Sequence, residues 1–106
     1  MKTIQTLAAN LAVLAACGVL LAGPPALAYT GQALSKDAVV TIGQARRIAL
    51  GVRPGRITDQ ELEKEAGGSG LRYSFDIKSR HGTFEVGVDA KTGNVLENHK
   101  EGPHPD

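Results

Sequence analysis

The stretch LRYSFDIK at positions 71–78 decides the fold, because its apolar and polar residues alternate without a break. Its apolar members are Leu71, Tyr73, Phe75 and Ile77. Successive side chains of an extended strand point to opposite faces, so a period of two is typical of a half-buried strand. The stretch therefore predicts an amphipathic β-strand with one apolar face.

Two more strands are predicted downstream. Apolar residues alternate again at Phe84, Val86 and Val88, after a polar turn at 80–82. The next turn, DAKTGN at 89–94, begins with an aspartate whose carboxylate can accept hydrogen bonds from backbone amides two or three residues on, and Gly93 permits a positive φ. Residues 95–97 then form a short last strand.

A helix is predicted upstream. TIGQ at 41–44 fits a capping box, and Pro54 prevents continuation after Gly51, a predicted C-cap. Apolar residues recur at helical spacing at Ile42, Ala45, Ile48, Ala49 and Val52. A helix of about ten residues must bury this stripe against a partner. The sequence thus predicts an α+β fold: one N-terminal helix packed on an antiparallel sheet of three to four strands, in two layers.

The segment 57–65 has two interpretations. A second capping-box match, TDQE at 58–61, and the high helix propensity of 61–66 favour a helix. Leu62 is the one apolar anchor that such a helix would bury. The alternative is a strand paired with 71–78 through the flexible AGGSG loop at 66–70, which we favour because tertiary pairing overrides weak local preference.

Residues 1–28 have the pattern of an export signal. A short positive region at Lys2 precedes the apolar stretch 11–22, two prolines, and the sequence ALA at 26–28. We therefore predict cleavage between Ala28 and Tyr29 and a periplasmic or extracellular protein. Two alternatives stay open: an uncleaved anchor, although the apolar run is shorter than the ~20 residues of a span, and a lipoprotein modified at Cys17.

The remaining chain divides into three predicted parts. Residues 29–38 are a flexible arm, residues 39–99 the folded domain, and residues 100–106 a disordered tail that contains two prolines. Positions 29–106 carry 11 basic and 11 acidic residues, a balance that argues against nucleic-acid binding. Cys17 is the only cysteine, so the processed chain would have no internal disulfide.

Between positions 39 and 98 the sequence resembles a PepSY domain, a small exported module also found in propeptides of thermolysin-type metallopeptidases. The resemblance is carried by the TIGQARRIAL helix at 41–50, the aromatic strand YSFDI at 73–77, and the ending VDAKTGNVL at 88–96. RITD at 56–59 and Gly87 depart from the usual pattern. The resemblance implies binding or restraint of peptidases, or an accessory role in envelope sensing and transport. It implies no catalytic residues.

The positions of the three histidines agree with that implication. His81 lies in a polar turn, and His99 and His104 lie at or beyond the last strand, where packing cannot hold a catalytic base rigidly. We predict no enzyme activity, no cofactor and no metal site, with weak metal binding by the histidine-containing tail as an alternative. His99 and His104 would then share an ion with Glu97, Glu101 or Asp106.

The predicted function is therefore non-covalent binding of an envelope peptidase or peptide. An extended peptide can add as an extra strand to an open sheet edge. The candidate edge is the last strand, with Val95, Leu96, Glu97 and Asn98. The alternative is an accessory or sensory partner of an envelope membrane protein; no nucleic acid and no small-molecule substrate are expected.

Overall fold

A computed structural model describes residues 28–102 of the chain. The elements are a 3-10 helix Gln32–Asp37, helix α1 Ile42–Val52, and strands β1 Arg56–Lys64, β2 Leu71–Ser79, β3 Gly82–Asp89 and β4 Val95–Lys100. The strands form one antiparallel sheet in the order β1-β2-β3-β4, and α1 packs against it. The α+β prediction is confirmed. The predicted N-terminal position of the helix is wrong, because the 3-10 helix precedes α1.

Strand β1 resolves the ambiguous segment. Leu62 lies opposite Tyr73 and Glu61 opposite Ser74 in the ladder with β2. Leu62 is 2% exposed. The strand conformation therefore prevails because it buries Leu62 in the core and packs Ile57 against it, which a solitary helix would not do.

The core contains the predicted faces of α1, β2 and β3. Its fully buried members are Ala45, Ala49, Leu62, Leu71, Tyr73, Phe75, Ile77, Val86, Val88 and Ala90. Ile42 and Ile48 pack against this cluster from α1. Val52 is 42% exposed, so the buried stripe ends one turn earlier than predicted. Gly51 is not the C-cap: the helix continues to Val52, and Arg53 caps it by donating its N–H to the carbonyl of Ala49.

Residues 29–31, part of the predicted flexible arm, lie along β1. The N–H of Leu62 donates to the carbonyl of Thr30 at 2.8 Å, and Thr30 forms a parallel bridge with Glu61. The Tyr29 ring stands edge-on to Tyr73 at 6.2 Å between centroids. Gly31 has φ 85°, and a Cβ there would lie 1.9 Å from the carbonyl oxygen of Leu62. Only glycine permits so close an approach, which residue-by-residue patterns do not reveal.

Strand β4 extends into the tail predicted over residues 100–106. β4 extends to Lys100, and Glu101 donates its backbone N–H to the carbonyl of Thr83 at 2.8 Å. Lys100 and Glu101 therefore pair with β3, although both belong to the segment predicted to be disordered.

Residues 103–106 with His104, and the signal region with Cys17, lie outside the described residues. None of the helices in 28–102 has the length and apolar character needed to cross a membrane.

Candidate functional site

The two edges of the sheet differ. Thr30 pairs with β1, whereas no described residue pairs with the outward side of β4. The four residues of the predicted binding edge, Val95, Leu96, Glu97 and Asn98, all lie in β4. The ladder between β3 and β4 shifts register between Gly87 and Val88, where Leu96 is the extra residue of a β-bulge.

The outward backbone groups of β4 follow from its register. Glu101 lies opposite Thr83 and bonds to it, and bonded and non-bonded pairs alternate along an antiparallel ladder. Glu97 and His99 therefore direct their backbone groups at β3. Asn98 and Lys100 direct theirs away from the sheet, where an added strand would find them.

One face of the sheet is strongly acidic. The register places seven carboxylates on the face opposite the core, and we call them the acidic face: Asp59, Glu61, Glu63, Asp76, Glu85, Glu97 and Glu101. Three cations share that face, Arg56, Arg72 and Lys78. Because the whole chain carries a formal charge of only +1, its charges are segregated between surfaces.

The acidic face contains a row of like charges. Asp59 lies opposite Asp76, and Asp76 lies opposite Glu85; the row of carboxylates ends there, because the next partner, on β4, is His99. Like charges directly opposite each other destabilise a sheet. Burial, followed by the neighbouring Glu101 carboxylate, raises the pKa of Asp76 to about 6. Burial and then the charge of Glu97 raise the pKa of Glu85 as well. The row therefore holds negative charge at a cost that a bound cation would relieve.

Arg72 occupies one end of this face. Its side chain is 9% exposed, and it donates to Glu97 Oε1 at 3.1 Å and to the carbonyl of Ala66 at 3.1 Å. The Arg72 Nε–H has no partner among the described residues. Arg72 thus fixes Glu97 in place and offsets its charge, whereas Asp76, Glu85 and Glu101 have no such ion pair in residues 28–102.

Two groups on the acidic face have the spacing of metal ligands. Glu85, Glu97 and His99 offer ligand atoms within 4.8 Å of one another, and so do Asp76, Glu85 and Glu101. His99 Nδ1 lies 3.2 Å from Glu97 Oε2. Imidazole and carboxylate are ordinary ligands for first-row divalent metals. The first group joins two residues of the tail hypothesis, Glu97 and His99, but its third ligand comes from β3.

The opposite side of the β4 edge is basic. The Arg53 guanidinium carbon lies 3.9 Å from the centroid of the Phe84 ring, and Arg53 Nε donates to Asn98 Oδ1 at 3.1 Å. Lys100 lies opposite Phe84 and so belongs to the same side. An added strand would therefore meet carboxylates on one side and cations on the other.

The predicted cleavage position lines a separate cavity of about 520 Å³ between the N-terminal segment, α1 and β1. Gln60 Nε2 donates to the Ala28 carbonyl at 3.1 Å, and Arg46 donates to Gln60 Oε1 at 2.6 Å. These contacts tie residue 28 to the fold. Ala28 and Tyr29 thus lie beside β1, at the sheet edge remote from β4.

The sequence hinted at only part of this site. The alternation of Asp59, Glu61 and Glu63 indicates an acidic strand face, but the row across three strands depends on the register.

A family model described as "Peptidase propeptide and YPEB domain" (PepSY) matches residues 39–99. Searches of curated proteins and of solved structures gave no match.

Proposed function

Because the chain belongs to the PepSY family, we propose that it is a non-enzymatic exported protein that binds an extended segment of an envelope peptidase, or a peptide, along β4. PepSY domains are typically non-catalytic regulatory modules associated with peptidase propeptides and inhibition. Export to the periplasm or beyond, with cleavage between Ala28 and Tyr29, is part of the proposal and rests on the signal pattern of residues 1–28.

One observation carries the proposal: no described residue pairs with the outward side of β4, whereas the N-terminal segment pairs with part of β1, the other edge of the sheet. Asn98 and Lys100 direct backbone donors and acceptors outward, while Thr30 occupies the corresponding position beside β1. Main-chain hydrogen bonds to an added strand give affinity with little dependence on sequence. A segment of a peptidase could thus be held without any catalytic group.

A proline at Asn98 tests this edge. Proline removes the outward N–H at that position and is tolerated on an edge strand when its nitrogen faces solvent. The matched control is Asn98→Ala, which loses the bond from Arg53 but keeps the backbone donor. Both variants and the wild type would be titrated into envelope metallopeptidases and other envelope peptidases, with inhibition and complex formation measured. We expect Asn98→Pro to lose binding and Asn98→Ala to retain it.

The same titration can contradict the proposal. Equal binding by both variants would show that β4 is not the contact edge. A complex with a sensor or transporter, and none with any peptidase, would favour the accessory role in the envelope. Circular dichroism must confirm that Asn98→Pro is folded before either outcome is read.

A second candidate function, binding of a divalent cation, is favoured by the spacing of Glu85, Glu97 and His99. Zn²⁺ titration by calorimetry tests it directly. If the ion binds there, His99→Ala should weaken Zn²⁺ affinity by at least tenfold. His81→Ala, which changes a histidine in the turn between β2 and β3, is the control and should have no effect.

A further inference from the structure

We infer that the segment bound at β4 carries lysine or arginine at alternate positions, with these cations lying against the β4 end of the acidic face, at Glu97, His99 and Glu101. This inference rests on the proposed function and specifies its partner. It commits to a basic extended segment because the charges on the two sides of the β4 edge have opposite signs.

An added strand continues the pleat of the sheet, so its side chains lie alternately on the acidic face and on the side of α1. Glu97, His99 and Glu101 would be its neighbours on the acidic face. For an antiparallel partner these are the non-hydrogen-bonded positions, where Cα atoms approach to about 4.5 Å and side chains are closest. Every second side chain of the partner is therefore in direct contact with Glu97, His99 or Glu101.

The carboxylates of Asp76, Glu85 and Glu101 form a group whose oxygen atoms are within 4.8 Å of one another. Opposite charges in cross-strand pairs stabilise a sheet, and like charges oppose it. A lysine or arginine facing Glu101 would relieve repulsion that the free protein retains. An acidic residue there would add to it.

Lys100 and the Arg53 guanidinium lie on the side of α1, so cations on that side of the partner would be repelled. A uniformly basic segment would be attracted by the carboxylates on the acidic face and repelled by the cations on the side of α1. The favoured partner therefore alternates, with basic residues toward the acidic face and uncharged or acidic residues toward Lys100. A shift by one residue would exchange the two sets and weaken the complex.

The test uses three synthetic nine-residue peptides and the protein purified in its exported form. The first alternates lysine and threonine, the second has the same composition with its lysines in one block, and the third replaces every lysine by glutamate. Calorimetry at low salt gives the dissociation constants. We expect the alternating peptide to bind at least tenfold more tightly than the block peptide and the glutamate peptide not to bind. Added salt should weaken the alternating complex, because exposed charge pairs are screened.

Two variants locate the contact. Glu101→Gln, beside the edge, should weaken the alternating peptide about 3- to 5-fold, the size expected for one cross-strand charge pair. Glu63→Gln is the matched control, since Glu63 lies on β1 at the far side of the sheet and bonds to Ser74. It should leave the dissociation constant within twofold. Asn98→Pro should abolish binding of the alternating peptide.

The outcomes separate this inference from the proposed function. Equal affinity for the alternating and glutamate peptides, lost in Asn98→Pro, would keep β4 as the binding edge and overturn the basic partner. Equal affinity for the alternating and block peptides, unaffected by Asn98→Pro, would show non-specific attraction and overturn both. Zn²⁺ bound so tightly that the alternating peptide cannot displace it would assign the carboxylates to a cation and overturn the inference as well.

Discussion

The carboxylate of Asp89 accepts hydrogen bonds from the backbone N–H of Ser69 at 2.7 Å and from its hydroxyl at 2.8 Å. The same carboxylate accepts from the amides of Lys91 and Thr92. One 1%-exposed side chain thus joins the loop between β1 and β2 to the turn between β3 and β4. Burial alone would raise the pKa of Asp89, but the bonds from Ser69, Lys91 and Thr92 outweigh it and lower the pKa to about 2.

Asp89→Asn should destabilise the protein by about 1–3 kcal/mol. The amide keeps one acceptor oxygen, but its NH₂ group would face the N–H of Ser69, and a buried donor left unsatisfied costs that amount. Urea unfolding measures the change. Ser69→Ala is the control: it removes one hydroxyl and keeps the backbone donor, so its loss should be smaller. An Asp89→Asn variant as stable as wild type would mean that the turn bonds are sufficient and that the bond from the Ser69 N–H adds nothing to stability.

Gly31→Ala should detach the N-terminal segment from β1. The new Cβ would lie 1.9 Å from the carbonyl oxygen of Leu62, and φ 85° is strained for alanine. Hydrogen exchange at the Leu62 amide, whose acceptor is Thr30, should then become faster. Gly51→Ala is the control, since a Cβ there meets nothing within 4 Å. Gly51→Ala should stabilise α1 by about 0.5–1 kcal/mol. An unchanged hydrogen-exchange rate of the Leu62 amide in Gly31→Ala would show that the N-terminal segment tolerates the methyl group.

How much of the fold could be predicted depends on whether a feature is local. The alternation at 71–78 is local, and so are the strand and its buried face. The turn bonds of Asp89 were predicted because their donors lie two and three residues away, whereas its bonds to Ser69 span 20 residues and leave no trace in a short pattern. The approach of Gly31 to Leu62 and the bulge at Leu96 were missed for the same reason.

The candidate site shows the same division. The edge position of β4 follows from its being the last strand of a consecutive antiparallel sheet. The acidic face does not, because it requires the register of four strands, including a shift between Ile57 and Asp59. Strict alternation from Ile57 through that shift would place Asp59 on the core face of the sheet instead of the acidic face. Charge patterns across strands thus become visible only once the irregularities of the ladder are known.

Phe75→Ala should bring the protein close to its unfolding midpoint at room temperature. Phe75 is 0% exposed and lies against Tyr73, with ring centroids 6.3 Å apart. Removing a buried phenylalanine costs about 3–5 kcal/mol, close to the whole stability of a domain this small, ~5 kcal/mol. The control is Val95→Ala, at a valine 38% exposed, which should shift the midpoint only slightly. A Phe75→Ala protein that melts at the wild-type temperature would contradict the assigned core.

The contributions of Asp76 and Asp89 together should make the free energy of unfolding highest at about pH 4. The pKa of Asp76 is raised to about 6 in the folded state. Its protonation therefore favours folding, and that contribution is complete below the ordinary value of 3.8 and lost as the pH rises through 6. Asp89 has the opposite sign: with a folded pKa of about 2, its contribution is present above 3.8 and is lost as the pH falls through 2.

Asp76→Asn separates the two carboxylates. An uncharged amide removes the repulsion with Glu101 at every pH, so this variant should be more stable than wild type by about 1 kcal/mol near pH 7, after allowance for solvent screening. Its stability should no longer rise between about pH 7 and pH 5, while its loss of stability in strong acid should remain, because Asp89 is intact. Urea unfolding of both proteins across this range gives the comparison. Two results together would contradict this prediction: equal stability of the wild type at about pH 5 and pH 7, and equal stability of Asp76→Asn and the wild type at pH 7. They would show that solvent relieves the repulsion within the acidic face.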